Sequence, residues 1–257
     1  MSLFAEYEKQ QKWRGWENYL KFIPLSQKDT VIDLGCSVGD VSRAFSLRVN
    51  NVIGIDINKE FIEFCDSRRN CNEAFVLSDF QSADYLSFGD ISGIWGSFSL
   101  SYLSNPLDYL KVLNSVMNDE GWVALLDVSC FISGNLARDS KYYDRVKRFE
   151  LESYRFGLYD FDFGSKMQGL LKDAGFEVVY FDNDVTDPEL NFSGSAASEI
   201  IEGWSARLNR MNKLSLFLGE EYPDFCDELL SNLGSNTHEK QGNVRFVVAK
   251  KSSKPLN

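Results

Sequence analysis

Phe4, Tyr7, Trp13, Trp16 and Leu20 recur at helical steps, which predicts a helix over residues 5–22, within an N-terminal segment of residues 1–24 that Pro24 ends. The period then changes. "TVIDL" (30–34), "NVIGID" (51–56), "AFVLSD" (74–79), "ISGIWGSF" (91–98) and "GWVALLDVS" (121–129) are short apolar runs with the length of buried strands. Amphipathic runs separate them: "VSRAFSLRV", "KEFIEFCDSRR" after a capping Asn58, and "LDYLKVLNSVM" after Asn105-Pro106. Strands and helices alternating at this spacing predict parallel βαβ units with helices on both faces.

Two stretches break the alternation. Residues 131–163 carry nine aromatic side chains, from Phe131 to Phe163, among charged ones. Helix and strand resume in "SKMQGLLKDAGFEVVYFDND", and residues 185–242 then precede a last strand, "NVRFVVAKK". There is no internal repeat, and only "SSKPLN" reads as a frayed tail. The chain is therefore expected to form one α/β domain over residues 1–257, a doubly wound, seven-stranded, mostly parallel sheet with two cap insertions.

Charge narrows the partners. The net charge of −11 argues against non-specific grip on nucleic acid or an anionic membrane. The second insertion alone holds ten acids against four bases, the composition of a solvated helix face. Five scattered cysteines without a CxxC pair, and a single histidine, supply no zinc set, so no metal is expected. They read as free thiols of a reducing compartment. The opening residues are too charged for a secretory signal, and no apolar run reaches membrane-spanning length, so a cytoplasmic protein is expected.

Chemistry concentrates in "VIDLGCSVGD", residues 31–40. Asp33 ends a strand, and the chain turns through Gly35, Cys36, Ser37, Val38 and Gly39 into a helix. The spacing is not the GxGxxG of a dinucleotide site, and no GK[ST] follows as in a P-loop. An acid beside glycines suits a ligand that carries a positive group. "DLGCSVG" resembles the first motif of the class I S-adenosylmethionine-dependent methyltransferases, with Ser37 in place of the middle glycine. Three further features continue the resemblance. Asp56 ends the second strand, where the family binds both ribose hydroxyls, and Ile57 follows to pack on adenine. Asp79 and Phe80 follow the third strand, near the adenine amino group. Ser97 and Phe98 end the fourth, beside the methionine part.

The resemblance covers residues 30–128, 164–183 and 243–251. It implies S-adenosylmethionine as cofactor and methyl transfer to an oxygen or nitrogen of a small-molecule acceptor. A dehydrogenase-like fold using Asp56 on a nicotinamide ribose would explain neither Asp33 nor Asp79. A methyltransferase acting on tRNA or protein, and a non-catalytic binder of the cofactor, remain open alternatives. Both insertions leave the sheet at the edge where such folds bind ligands, so they are expected to roof the site. The aromatics of the first would then line an acceptor pocket or form a satellite core. Trp13 and Arg14 are candidates to close over the cofactor. His238, whose pKa naturally lies near neutrality, is the candidate general base.

Overall fold

Capping residues set the helix starts in the first half of the chain. The Asn58 side chain accepts from the backbone N–H of Glu60 and Phe61, and that of Asn105 accepts from Asp108 just ahead of Pro106. The computed structural model describes residues 3–252, which leaves the rest of the expected tail, 253–257, outside the described residues. The first elements are α1 (Leu3–Gln11) and α2 (Glu17–Leu20). Then come β1 (Thr30–Leu34), α3 (Asp40–Ser46), β2 (Asn51–Asp56), α4 (Lys59–Arg68), β3 (Glu73–Leu77), β4 (Ile91–Ser97), α5 (Pro106–Val116) and β5 (Met117–Ser129). The first insertion contains α6 (Tyr143–Arg155), after which α7 (Met167–Asp173) leads into β6 (Phe176–Val185). The second insertion folds as α8 (Ser198–Leu208), α9 (Asn212–Leu218) and α10 (Tyr222–Leu233), and β7 (Asn243–Lys251) follows.

The seven strands lie in the order β3-β2-β1-β4-β5-β7-β6. All neighbours pair parallel except β7, which runs antiparallel between β5 and β6. The sheet matches the expected doubly wound, mostly parallel fold. Its central strands are covered on both faces, so β1 is buried along its whole length. Two apolar layers result. One, around Ile32, Leu110, Leu125 and Met167, packs α5 and α7 on the sheet. The other, around Phe45, Trp95, Trp122 and Phe246, is continuous with the interior of both insertions through Ile132, Tyr142, Trp204 and Phe225. No helix among the described residues is long and apolar enough to cross a membrane.

The N-terminal segment departs from the single helix expected over residues 5–22. Turn hydrogen bonds from Lys12, Trp13 and Arg14 back to Lys9, Gln10 and Gln11 end α1 early, and the chain bends at Gly15 before α2. The bend serves packing on both sides. Arg14 reaches acids of the second insertion, while the Trp16 ring meets Trp95 edge-on with centroids 6.0 Å apart.

Candidate functional site

Among the described residues, three other than glycine hold left-handed backbone, and they follow the ends of three strands on one edge of the sheet. They are Ser37 (φ 51°) after β1, Phe98 (φ 54°) after β4 and Cys130 (φ 52°) after β5. Such a conformation costs roughly 1–2 kcal/mol per side-chain-bearing residue, and strain of this kind gathers where a chain must present backbone to a ligand.

Asp56 ties this edge together. One carboxylate oxygen accepts the Ser37 N–H at 2.9 Å and the other the Asn58 N–H at 2.8 Å, which fixes the β1 turn against the end of β2 and leaves lone pairs on both oxygens. Burial pushes its pKa up, against those backbone hydrogen bonds. Ile57 beside it is 75% exposed, an apolar surface without cover. Asp79 is exposed and uses one oxygen to cap the turn at Gln81 N (2.8 Å). Phe80 is held next to it by the Tyr85 hydroxyl, which donates to its carbonyl at 2.7 Å, and by the Tyr109 ring. Phe98 N–H donates to Leu126 O at 2.9 Å, and the Arg14 guanidinium lies 4.7 Å from the Phe98 ring centroid. Ser97, Phe98, Ser37, Asp56 and Ile57 thus lie on one edge, with Asp79 and Phe80 beyond β2.

The remaining candidates fall elsewhere. Asp33 is 1% exposed, and its carboxylate accepts the Ser42 hydroxyl of α3 at 2.6 Å. Burial pushes it up to about 7, and it faces the interior between β1 and α3 instead of a ligand. Cys36 is likewise buried, its thiol pushed well above the usual range by a hydrogen bond with Cys65 and by burial. The two glycines of the turn serve packing as well as backbone freedom. Gly35 (φ 74°) and Gly39 (φ 82°) both hold positive φ. A Cβ at Gly35 would stand 2.9 Å from the Ser99 Cβ, and one at Gly39 would stand 2.8 Å from the Cys65 sulfur.

His238 departs furthest from its expected role. Its ring is buried to 1% exposure against Phe192, with centroids 4.7 Å apart, and neither ring nitrogen has a partner. Its backbone bonds to Gly194 and Ser235, within the second insertion. A base for the acceptor must reach the strand ends, and this ring is enclosed. Burial lowers its pKa from 6.5, so the folded state favours the neutral ring. That stabilisation is complete above about pH 6.5 and fades as pH falls below it. Urea midpoints at pH 8 and 5.5 are expected to fall further for wild type than for His238→Leu. Equal falls would show that the ring is not held neutral.

The roof is built from three segments. Arg14, 6% exposed at its side chain, pairs with Asp187 and, at 2.8 Å, with Glu189. Arg207 of α8 reaches the same Glu189 at 2.6 Å, and Gln10 adds a longer hydrogen bond of 3.4 Å. Arg210 grips Glu6 through both terminal nitrogens, at 2.5 and 2.7 Å. Part of the second insertion's acid excess is therefore spent on buried ion pairs with the N-terminal segment, not on a solvated face. Trp13 and Arg14 also border a cleft of about 340 Å³ that Tyr180, Asp182 and Phe246 line with them.

The aromatics of the first insertion divide. Tyr142, Phe161 and Phe163 are core, and Phe156 is 74% exposed. Tyr159 and Phe131 turn toward the strand ends. The Tyr159 ring meets Tyr102 edge-on at 4.8 Å, and Phe131 packs on Trp204 at 5.4 Å. Tyr102 is 61% exposed, yet burial is the chief cause that pushes its phenol up to about 12, with Tyr7, Arg207 and Asp127 close enough to act on it. The Tyr102 ring is thus exposed just after β4, with Tyr159 against it.

One residue that no sequence argument singled out lies under the turn that carries Tyr102. Asp127, near the end of β5, is 1% exposed and accepts the Ser101 hydroxyl at 2.9 Å and the Val128 N–H at 2.8 Å. Its signal was the same as for Asp56, an acid at a strand end.

Comparison with known proteins decides the family. A family described as a methyltransferase domain matches residues 5–180, more than half of the chain. The chain belongs to the class I S-adenosylmethionine-dependent methyltransferases. Among curated relatives of this methyltransferase is YqeM of Bacillus subtilis (strain 168), a protein named as a methyltransferase. It is 23% identical over 228 residues, covering 82% of this chain and 86% of that protein. A malonyl-[acyl-carrier protein] O-methyltransferase of Marinomonas sp. (strain MWYL1) is 29% identical over 119 residues, or 44% of this chain and 43% of its own. Among solved structures, the mycolic acid cyclopropane synthase CmaA1, complexed with SAH and CTAB, shares the fold with a TM-score of 0.61 at 15% identity. That likeness covers 92% of the methyltransferase chain and 82% of the synthase.

Proposed function

We propose that this methyltransferase transfers a methyl group from S-adenosylmethionine to an oxygen or nitrogen of a small-molecule acceptor held beside Tyr102. The observation that carries the acceptor's size is the roof. Ion pairs of Arg14 with Asp187 and Glu189 and of Arg210 with Glu6 fasten the N-terminal segment to the second insertion over the strand ends. Arg207 braces Glu189 from α8, and a net charge of −11 gives a polyanion little to hold.

The residues present fit the cofactor. Asp56 has lone pairs free on both oxygens for two ribose hydroxyls, as charge-assisted hydrogen bonds. Ile57 offers its exposed surface to the adenine, and Asp79 keeps one oxygen unengaged for the amino group. The backbone after β4 would offer carbonyl oxygens to a cationic sulfur, while the Phe98 ring already carries the Arg14 guanidinium. Asp33 supports the turn from behind through Ser42. Bound there, S-adenosylmethionine supplies an electrophilic methyl carbon on a positively charged sulfur. The chain's own work is to hold a nucleophile in line with that carbon and to exclude water.

Two measurements test this reading. Calorimetry is expected to show micromolar binding of S-adenosylmethionine or its demethylated product and none of NAD; NAD binding alone would overturn it. Incubation with methyl-labelled donor and cell extract is expected to place label in the small-molecule fraction. Label confined to protein or RNA would move the acceptor to a macromolecule.

A further inference from the structure

Tyr85 and Tyr109 are buried to 5% and 7% exposure in the apolar layer that α5 packs on the sheet. Tyr85 opens a 3-10 turn between β3 and β4 (Tyr85–Phe88), and Tyr109 lies near the start of α5. Their hydroxyls converge on one backbone atom. Tyr85 Oη donates to Phe80 O at 2.7 Å, Tyr109 Oη stands 3.3 Å from the same carbonyl, and the two hydroxyls bond to each other. Two protons serve three contacts, so the phenols act as one group with the carbonyl as its common acceptor. Among the described residues the hydroxyls have no other partner. Two phenylalanines would fill the same layer with no polar group to satisfy. What the hydroxyls add is a hold on Phe80.

That hold acts one residue beyond Asp79. The Phe80 ring packs on Tyr109 as well, with centroids 5.5 Å apart, so residue 80 is fixed by backbone and by side chain. On the other side, Ser78 N–H donates to Asp56 O at 3.0 Å, which ties the loop to the acid proposed for the ribose. Between the two ties, Asp79 accepts from Ser82 N–H with its carbonyl at 3.0 Å and from Gln81 N–H with one carboxylate oxygen at 2.8 Å. The other carboxylate oxygen is unengaged, on an exposed residue.

We infer that Tyr85 and Tyr109 are positioning residues for selection of the cofactor's base. By anchoring Phe80 they hold the free Asp79 oxygen where it requires an amino group at the 6 position of the purine and rejects an oxo group. The inference rests on the methyl-transfer reading above, which puts the adenine at Asp79.

Rigidity is what makes the selection possible. A 6-aminopurine offers the carboxylate an N–H donor. A 6-oxopurine sets an acceptor against that oxygen, but it carries a proton on the neighbouring ring nitrogen. A carboxylate on a loose loop could follow that proton and accept either base. One whose backbone is fixed on both sides cannot follow, and an oxygen left facing an oxygen costs affinity. The tyrosine pair touches neither base. It acts only through Phe80.

The test compares two ligands that differ at that one position. In calorimetry, wild type is expected to bind S-adenosylhomocysteine at least about tenfold more tightly than S-inosylhomocysteine, its 6-oxo counterpart. Tyr85→Phe and Tyr109→Phe are each expected to narrow the ratio about threefold or more, by weakening the adenosyl ligand and not the inosyl one. Leu113→Val is the control for packing. Leu113 is fully buried in the same layer on α5, and the substitution loosens that layer without touching the Phe80 carbonyl. It should lower the melting temperature and leave the ratio as in wild type. A ratio kept in both tyrosine variants, or lost equally in Leu113→Val, overturns the inference.

Amide exchange on the chain without ligand reads the loop itself. Gln81 and Ser82, whose N–H groups bond to Asp79, are expected to exchange faster in both tyrosine variants, relative to the amides of β1, and not in Leu113→Val. Exchange unchanged in the tyrosine variants overturns the anchoring. Failure of the wild-type chain to bind either ligand would overturn the methyl-transfer reading instead, and the exchange arm still decides whether the tyrosine pair holds the loop.

Discussion

Glu189→Ala is expected to cost about 3–5 kcal/mol of stability, because it leaves two guanidinium groups, Arg14 and Arg207, without their shared buried partner. Glu189 is 1% exposed, and its backbone carbonyl also accepts the Trp204 indole N–H at 3.0 Å. The lost carboxylate therefore loosens a point where the N-terminal segment, the loop after β6 and α8 converge. At roughly 2–4 °C per kcal/mol for a chain of this size, the melting temperature should fall by about 10 °C. Trypsin gives a second readout. Arg14 is shielded in the intact roof, and cleavage after it should accelerate in the variant. An unchanged melting temperature and an uncut N-terminus would show that the ion cluster does not fasten the roof. Glu189→Gln, which keeps a hydrogen-bond acceptor but no charge, should fall between.

Asp56→Ala is expected to weaken S-adenosylhomocysteine at least tenfold in calorimetry. Hydrogen bonds to an ionised group are worth roughly 1.5–3 kcal/mol, and tenfold corresponds to about 1.4 kcal/mol. The variant also releases the N–H groups of Ser37 and Asn58, so the β1 turn loses its tie to β2. Asp56→Asn, which retains one oxygen acceptor, should lose less. An unchanged dissociation constant for Asp56→Ala would place the ribose elsewhere.

Much of this was legible before any coordinates. Apolar runs of strand length, the caps at Asn58 and Asn105, and the strand-end acid at Asp56 are local signals, and local signals survive folding with their meaning intact. What was not legible depends on partners far apart in the chain. Arg14 meets Asp187 and Glu189 across some 170 residues, and no periodicity announces such a pairing. The acid excess of residues 185–242 therefore read as solvated surface although two of its members are buried. His238 failed for a related reason. Its chemistry is visible in one letter, but whether water or an acceptor reaches the ring depends on Phe192 and the loop folded around it. Asp127 could have been read from the same strand-end pattern as Asp56, since "LLDVS" closes β5 as "GID" closes β2.

The place of β7 in the sheet governs the order in which this protein can be completed. β6 touches the sheet only through β7, and β7 pairs with both β5 and β6. A nascent chain that has emerged from the ribosome only as far as residue 242 can assemble the parallel half of the sheet, yet it must carry β6 as an unpaired ribbon. The edge of β5 stays open for the same interval. Those two open edges are where a stalled or truncated chain would pair with a neighbour. Closure waits for a strand that pairs with β5 from more than a hundred residues further along the chain, a long-range contact of the kind that slows folding.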